Sequence, residues 1–192
     1  DCFGLRLLNR RGCFPQFDKF IEQTKDVWTH LVDIRKSFEP RAEELAKKYA
    51  LAPYTMFIGS GALWGETILF SMCILEEMQW KRTRYITSAD FFHGTLELVE
   101  PGVPVFLFMG EDENRKLDER VRAFLTRGVT GDTDINIIDT AEFAIPGLDD
   151  EFRVIVSPWI LSSLITDRLA AYYETVTKHN LNYRRYYHQF DY

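Results

Sequence analysis

Two side chains that can exchange protons lie near each other in the sequence. Glu77 follows the apolar stretch 68–75, which predicts a buried helix, and His93 comes sixteen residues later in a loop, before a glycine. Burial in apolar surroundings raises the pKa of a carboxyl group towards neutrality, where it can take and return a proton. A loop histidine can act as an acid, a base or a hydrogen-bond donor. Together they predict proton transfer on a small anionic substrate.

Each of these residues also has a simpler interpretation. Glu77 could mark the end of its helix and face water, or pair with Lys81 or Arg82. His93 could be an ordinary packed or surface residue of its loop. Glu66 lies eleven residues before Glu77, so an ideal helix would place both carboxylates on nearly the same face.

A candidate substrate-binding loop precedes this helix. Gly59, Ser60 and Gly61 come directly after an apolar strand and before the helix. Small residues let a ligand approach the backbone, and N–H groups at a helix start favour an anion. The loop does not match a dinucleotide-binding motif, because residue 64 is Trp64 and no acid stands at the ribose-binding distance. A tight strand-to-helix turn without a ligand is the alternative.

The sequence predicts no metal site and no disulfide. The remaining histidines have no partner at metal-ligand spacing: His30, His179 and His188. The three cysteines lack C-x-x-C spacing, which suits a reducing cytoplasm: Cys2, Cys13 and Cys73. The charged residues between Lys116 and Arg127 are interpreted as the solvated face of a helix.

Composition excludes several classes of partner. The chain has 192 residues, 46% of them apolar and 27% charged, as in ordinary globular proteins. Its net charge of −6 provides no basic surface, so we expect no nucleic-acid partner. Serine and proline interrupt the apolar run 154–164, so we expect no membrane partner. Residue 1 is Asp1, so we expect the chain to be a fragment of a longer protein.

Strands and helices alternate after a helical N-terminal segment. Helices are predicted at 5–11, 17–38 and 41–49, with Pro40 at the start of the third. Strands are predicted at 54–58, 85–87, 103–109 and 135–138, and further helices at 64–79, 114–125 and 158–178. This alternation predicts an α/β fold, with a parallel sheet covered by helices on both faces.

Several ordered motifs resemble those of the sugar isomerase (SIS) domain of phosphosugar enzymes. They are Phe57-Ile58-Gly59-Ser60-Gly61, Leu75-Glu76-Glu77 and Ser88-Ala89-Asp90-Phe91-Phe92-His93-Gly94. The continuation from Leu96 to Pro104 and the ending from Tyr183 to Tyr192 are similar to the deglycases of 6-phosphorylated Amadori compounds, such as fructoselysine 6-phosphate. The resemblance covers roughly residues 17–192.

The resemblance implies a reaction and roles for the two residues. Glu77 would be the general base that removes a proton from C1 of the open-chain substrate, and His93 the acid or base for ring opening. The products would be glucose 6-phosphate and a free amine. No cofactor would be needed, since the substrate's own carbonyl and amine stabilise the carbanion. Ile74 replaces a lysine of glucosamine-6-phosphate synthase, which disfavours the synthase reaction.

The resemblance also implies an organisation. Residues 51–192 would form a flavodoxin-like, three-layer SIS domain, the second of two, and residues 1–50 linker or interface helices. A missing first domain would supply the main phosphate-binding loop. The protein would be a cytoplasmic homodimer in which the histidine reaches the neighbouring subunit's site. Two alternatives remain: a phosphosugar isomerase or aminotransferase-type enzyme, and a non-catalytic module that binds sugar phosphates.

Overall fold

The computed structural model describes residues 2–128, 131 and 133–191. Four strands form within these residues: β1 Thr55–Gly59, β2 Thr83–Ile86, β3 Val105–Met109 and β4 Ile135–Asp139. The α-helices are α1 Cys2–Arg10, α2 Phe17–Thr24, α3 Val27–Tyr49, α4 Trp64–Ile68, α5 Arg115–Leu125, α6 Asp150–Ser162 and α7 Ala170–Thr177. Short 3₁₀ turns cover Gly61–Leu63, Asp90–His93, Thr95–Leu98 and Thr140–Glu142.

The strands form one parallel sheet in the order β2-β1-β3-β4. All four carboxyl ends therefore lie at the same edge. Connections leave the two central strands in opposite directions, so a crevice is expected between the loops that follow β1 and β3. This arrangement confirms the predicted α/β fold.

Side chains of the central strands alternate between two hydrophobic clusters. Phe57, Phe106 and Phe108 face a large cluster shared with α3, α6 and α7. Their neighbours Met56, Ile58 and the odd-numbered residues of β3 face a smaller cluster that includes residues of α5. Because both faces are covered, the molecule has three layers, as predicted. Helix α3 ends at Tyr49 inside the larger cluster, and the proposed division at residue 50 stays a prediction.

Two prolines that were predicted to begin helices, Pro40 and Pro158, lie inside helices. Helix α3 continues through the exposed Pro40. The helical structure is interrupted earlier, between the end of α2 and the start of α3. Helix α6 begins at Asp150 and contains Pro158. Proline removes the hydrogen bond to the carbonyl four residues before it. At Pro158 the hydroxyl of Ser157 donates to that carbonyl, Val154 O, at 3.3 Å, which compensates the loss.

A continuous helical stretch, Asp150–Thr177, is long and apolar enough to span a membrane by length and composition. Half of its most apolar window is buried inside the protein. Its residues Ile160, Leu164 and Leu169 belong to the larger hydrophobic cluster. Such burial is the behaviour of a core helix.

Two helices change to π-type hydrogen bonding. The segment Leu69–Met78 continues α4, and Ser163–Leu169 joins α6 to α7. At the end of the first segment Gln79 N–H donates to Ile74 O, five residues earlier, at 3.1 Å. The wider turn changes the direction of every side chain after Ile68, including Glu77. Such segments are frequent at functional sites.

Candidate active site

A buried polar network joins the carboxyl ends of β1, β2 and β3. The backbone N–H of Ser88 donates to Ser60 Oγ at 2.7 Å, and Ser88 Oγ donates to Asp118 Oδ1 at 2.5 Å. The other oxygen of Asp118 accepts from Gly110 N–H at 3.2 Å. Asp118 is almost fully buried. The interpretation of the α5 charges as a solvated face is therefore wrong at this position. The network fixes the loops at this edge relative to one another.

Asp118 is an acid held in an unfavourable environment for its charge. Burial raises the pKa of Asp118 to about 6, although the hydrogen bonds from Ser88 and Gly110 partly oppose this shift. Asp112 also raises the pKa and Arg115 lowers it. The charge of the network therefore changes in the mildly acidic range.

The glycine loop after β1 already holds an anion, and that anion belongs to the protein. Asp112 Oδ2 accepts from the backbone N–H of Ala62 at 2.5 Å, and Oδ1 accepts from Asn114 N–H at 2.7 Å. Gly61 has a φ of +54°, and a Cβ there would lie 2.1 Å from Asp112 Oδ2. Glycine is thus required by both the backbone conformation and the close approach of the carboxylate.

The space beside this loop is acidic. A cavity of about 600 Å³ is lined mainly by carboxylates and small residues: Gly61, Ala62, Glu111, Asp112, Glu113, Asn114, Asp150, Glu151 and Val154. Its negative charge disfavours a phosphate. Ser60 is buried in the strand-end network, and Gly59 is packed against Thr67 and Phe108. The role of Gly59, Ser60 and Gly61 in substrate binding stays a prediction, and this geometry does not favour it.

Glu77 lines a different cavity, at the end of the π-helical segment. The cavity has a volume of about 490 Å³ and is bounded by helix-end and C-terminal residues: Glu76, Glu77, Trp80, Lys81, Arg82, Arg184, Arg185, Tyr186 and Tyr187. Arg184 Nε lies 2.8 Å from Glu77 Oε1, and both side chains are only partly exposed. Glu76 instead accepts from Thr83 Oγ1 at 2.5 Å. Of the two glutamates, Glu77 is therefore the one paired with the C-terminal segment.

The cavity has an excess of positive charge. Four cationic side chains surround two carboxylates: Lys81, Arg82, Arg184 and Arg185 against Glu76 and Glu77. Burial lowers the pKa of Lys81. The guanidinium of Arg185 lies 4.3 Å from the ring centroid of Trp80, whose φ of +53° ends the helix. The excess of cationic side chains suits an anionic ligand.

His93 does not line this cavity. It is exposed and ends the 3₁₀ turn that begins at Asp90. The neighbouring rings of Phe91 and Phe92 pack in the smaller cluster, whereas Ile74 and Leu75 beside Glu77 pack in the larger one. Glu77 and His93 therefore belong to layers on opposite faces of the sheet. No cavity described for this chain contains both, and their catalytic roles stay predictions.

Glu66 and Glu77 do not share a face. Glu66 lines a third cavity with residues of α3 and α6, while Glu77 lines the cavity beside the C-terminal segment. The prediction from ideal helical spacing is wrong because π-type turns intervene. Among the described residues, no group of three or more histidine, cysteine or acidic side chains could hold a metal ion.

Sequence reasoning missed Arg184, Asp112 and Asp118. Arg184 stands 107 positions after Glu77, so no local pattern connects them. Asp118 sits among charged neighbours in α5, but it occupies the buried face with Val121 and Leu125, a spacing that could have revealed it.

Comparison with known proteins places these features in a family context. No protein-family model matches the chain. It is 28% identical over 188 residues to the fructosamine deglycase of Bacillus subtilis, covering 96% of this chain and 54% of that protein. It is 29% identical over 186 residues to the fructoselysine 6-phosphate deglycase of Escherichia coli, covering 95% of this chain and 51% of the relative. The chain thus spans about half the length of these curated relatives.

Solved structures agree with the sequence relatives. A phosphosugar isomerase structure from Salmonella typhimurium has a TM-score of 0.87 and 26% identity, covering 98% of this chain and 57% of its own. A second, from Bacillus subtilis, has a TM-score of 0.84 and 26% identity, covering 92% and 53%. These homologues confirm the resemblance to phosphosugar deglycases and the SIS-type fold.

Proposed function

We propose that this chain carries the proton-transfer glutamate of a deglycase that acts on 6-phosphorylated Amadori sugar-amines, such as fructoselysine 6-phosphate. The observation that carries the proposal is the position of Glu77 in a partly enclosed cavity with four cationic side chains. Proteins named as deglycases match this chain along nearly its whole length, which supports the same reaction. The activity is proposed for the full-length protein that contains this chain.

Glu77 supplies the base for the first step. It removes the proton from C1 of the open-chain substrate, and the electron pair forms a C1–C2 double bond while the C2 carbonyl oxygen takes a proton from His93 and becomes a hydroxyl. Protonated Glu77 then returns its proton to C2, and loss of the nitrogen proton to His93 leaves a C1 imine. Water adds to the imine and releases glucose 6-phosphate and the amine. A glutamate paired with Arg184 is an anion, which is the form that accepts a proton.

The cationic side chains bind and orient the substrate. Arg184 and Arg185 come from the C-terminal segment, and Lys81 and Arg82 from the loop before β2. A guanidinium holds a phosphate or carboxylate in a fixed, two-pronged geometry, whereas an ammonium acts as a point charge. The ion pair between Arg184 and Glu77 must loosen as Glu77 turns towards C1 of the substrate. Arg184 then binds the substrate in place of Glu77.

His93 acts in the site of a second subunit. Within one chain the sheet separates it from Glu77, since their helical layers pack on opposite faces. Its exposure leaves the imidazole free to meet another subunit. A homodimer with sites composed of Glu77 from one chain and His93 from the other satisfies both positions. The proposed enzyme acts in the cytoplasm, where sugar phosphates are formed.

The experiment measures glucose 6-phosphate released from fructoselysine 6-phosphate by the full-length protein. Glu77→Gln and His93→Ala are each expected to reduce the rate by about 10²–10⁴-fold, the usual contribution of an acid–base group. Glu44→Gln, at an exposed position of α3, is the matched control and keeps the full rate. Full activity of Glu77→Gln would contradict the assignment.

A phosphosugar isomerase is the second candidate, because two solved structures similar to this chain carry that name. Interconversion of fructose 6-phosphate and glucose 6-phosphate, with no amine released from any Amadori substrate, would favour it. Both reactions use a base at C1, so the effect of Glu77→Gln does not distinguish the isomerase from the deglycase. The identity of the substrate decides between them.

A further inference from the structure

A third cavity lies in the helical layer, between α3 and α6. Its volume is about 340 Å³, and its wall includes Trp28, Leu31, Arg35, Glu66, Trp159 and Asp167. It shares no lining residue with the Glu77 cavity. Whatever it binds is therefore independent of the function proposed above.

The charge of this cavity is unbalanced. Arg35 and Asp167 form an ion pair with their nearest atoms 3.5 Å apart, and Glu66 forms no ion pair with any residue that the structure describes. Ser162 lowers the pKa of Glu66 by hydrogen bonding, which partly opposes the effect of burial, but Glu66 Oε2 is shut off from water and has no hydrogen-bond donor among the described residues. Burial raises the pKa of Glu66. A buried carboxylate oxygen without a donor is unfavourable.

Another part of the cavity wall is aromatic. The rings of Trp28 and Trp159 stack with their centroids 5.8 Å apart and an interplanar angle of 19°. The side chain of Trp28 is 68% exposed. Tryptophan side chains in proteins are on average largely buried. The face of an indole ring attracts cations more strongly than any other side-chain ring. A cavity lined by a carboxylate and by aromatic rings contains the groups that recognise an ammonium ion.

We propose that this cavity binds an organic ammonium ion carried on a short apolar stem. The Glu66 side chain turns towards the cavity that it lines, so that Oε2 leaves its buried position and accepts a hydrogen bond from the ammonium group. The stem lies along Leu31 and the stacked indole rings. A metal ion is a poorer fit, since the cavity offers two carboxylates and one of them is already paired with Arg35.

The test is a titration of the 192-residue chain with n-butylammonium chloride, followed by indole NMR signals. A saturable shift of the Trp28 and Trp159 signals is expected, with none at equal concentrations of 1-butanol, which has the same stem without charge. Glu66→Gln should weaken binding by at least about tenfold, as loss of a charged hydrogen bond implies. Glu44→Gln, an exposed carboxylate on α3, should leave it unchanged.

A second variant tests the proposal even if Glu66→Gln fails to fold. Trp28→Ala changes an exposed side chain, so the chain is expected to stay folded, and it should weaken the ammonium titration. Equal binding of butanol and butylammonium, unchanged binding by a folded Glu66→Gln, or no saturable shift would each overturn the proposal.

Discussion

The stability of the chain should depend on the ionisation of one buried acid, Asp118. Its two oxygens accept from Ser88 Oγ and Gly110 N–H, and these bonds hold together the loops that follow β2 and β3. Burial raises its pKa from 3.8 to about 6 in the folded chain. The folded state thus binds a proton more tightly than the unfolded state. The stabilisation that comes from this tighter proton binding is fully present below the pKa of Asp118 in the unfolded chain. It is lost as the pH rises through about 6, the pKa of Asp118 in the folded chain.

The size of the effect follows from the two pKa values. With 3.8 for the unfolded chain and about 6 for the folded chain, linkage adds about 1.4 kcal/mol to the free energy of unfolding at pH 5 relative to pH 8. Asp118→Asn removes this titration. The difference in unfolding free energy between wild type and Asp118→Asn should therefore shift by about 1.4 kcal/mol in favour of wild type between pH 8 and pH 5.

Urea unfolding followed by circular dichroism at pH 5 and pH 8 measures that difference. Comparing the variant with wild type at each pH cancels the titration of all other acids. Glu97→Gln, which removes an exposed carboxylate, serves as the control and should show no comparable shift. A difference between wild type and Asp118→Asn that is the same at both pH values would show that folding does not raise the pKa of Asp118.

Three further perturbations test other parts of the structure. Gly61→Ala should lower the free energy of unfolding by about 1–2 kcal/mol or more, because a side chain at positive φ is strained and its Cβ would displace Asp112; urea midpoints measure this, and a neutral result would contradict it. Ser157→Ala should lower it by about 0.5–1.5 kcal/mol in the same assay, since the carbonyl before Pro158 loses its donor; an unchanged midpoint would mean that water serves the carbonyl. Arg184→Gln in the full-length protein should raise the KM for fructoselysine 6-phosphate by about tenfold or more, because the Glu77 cavity loses a cation; an unchanged KM would exclude Arg184 from substrate binding.

Much of the fold could be predicted from local patterns. The strands of the central sheet are short, apolar runs buried on both faces, and their alternation with helices indicated a parallel sheet. The helix boundaries near Pro40 and Pro158 could not be predicted, because the effect of a proline depends on whether solvent or a neighbouring hydroxyl serves the freed carbonyl.

The candidate site was only partly predictable. Glu77 stood out because it ends an apolar segment, but the change to π-type hydrogen bonding has no sequence signal and moved it away from Glu66. Arg184 and Asp112 reach their partners, Glu77 and the Gly61 loop, only through the tertiary fold. These contacts join distant positions, which periodicity and spacing do not encode.

In the proposed enzyme Glu77 and His93 act together across two subunits. The most direct measurement mixes full-length Glu77→Gln and His93→Ala proteins, each inactive alone, under conditions that let subunits exchange. Equal mixing makes half of the dimers heterodimers with one intact site each, so glucose 6-phosphate release from fructoselysine 6-phosphate should recover to about a quarter of the wild-type rate. A mixture that stays inactive after subunit exchange has been verified would contradict the shared site.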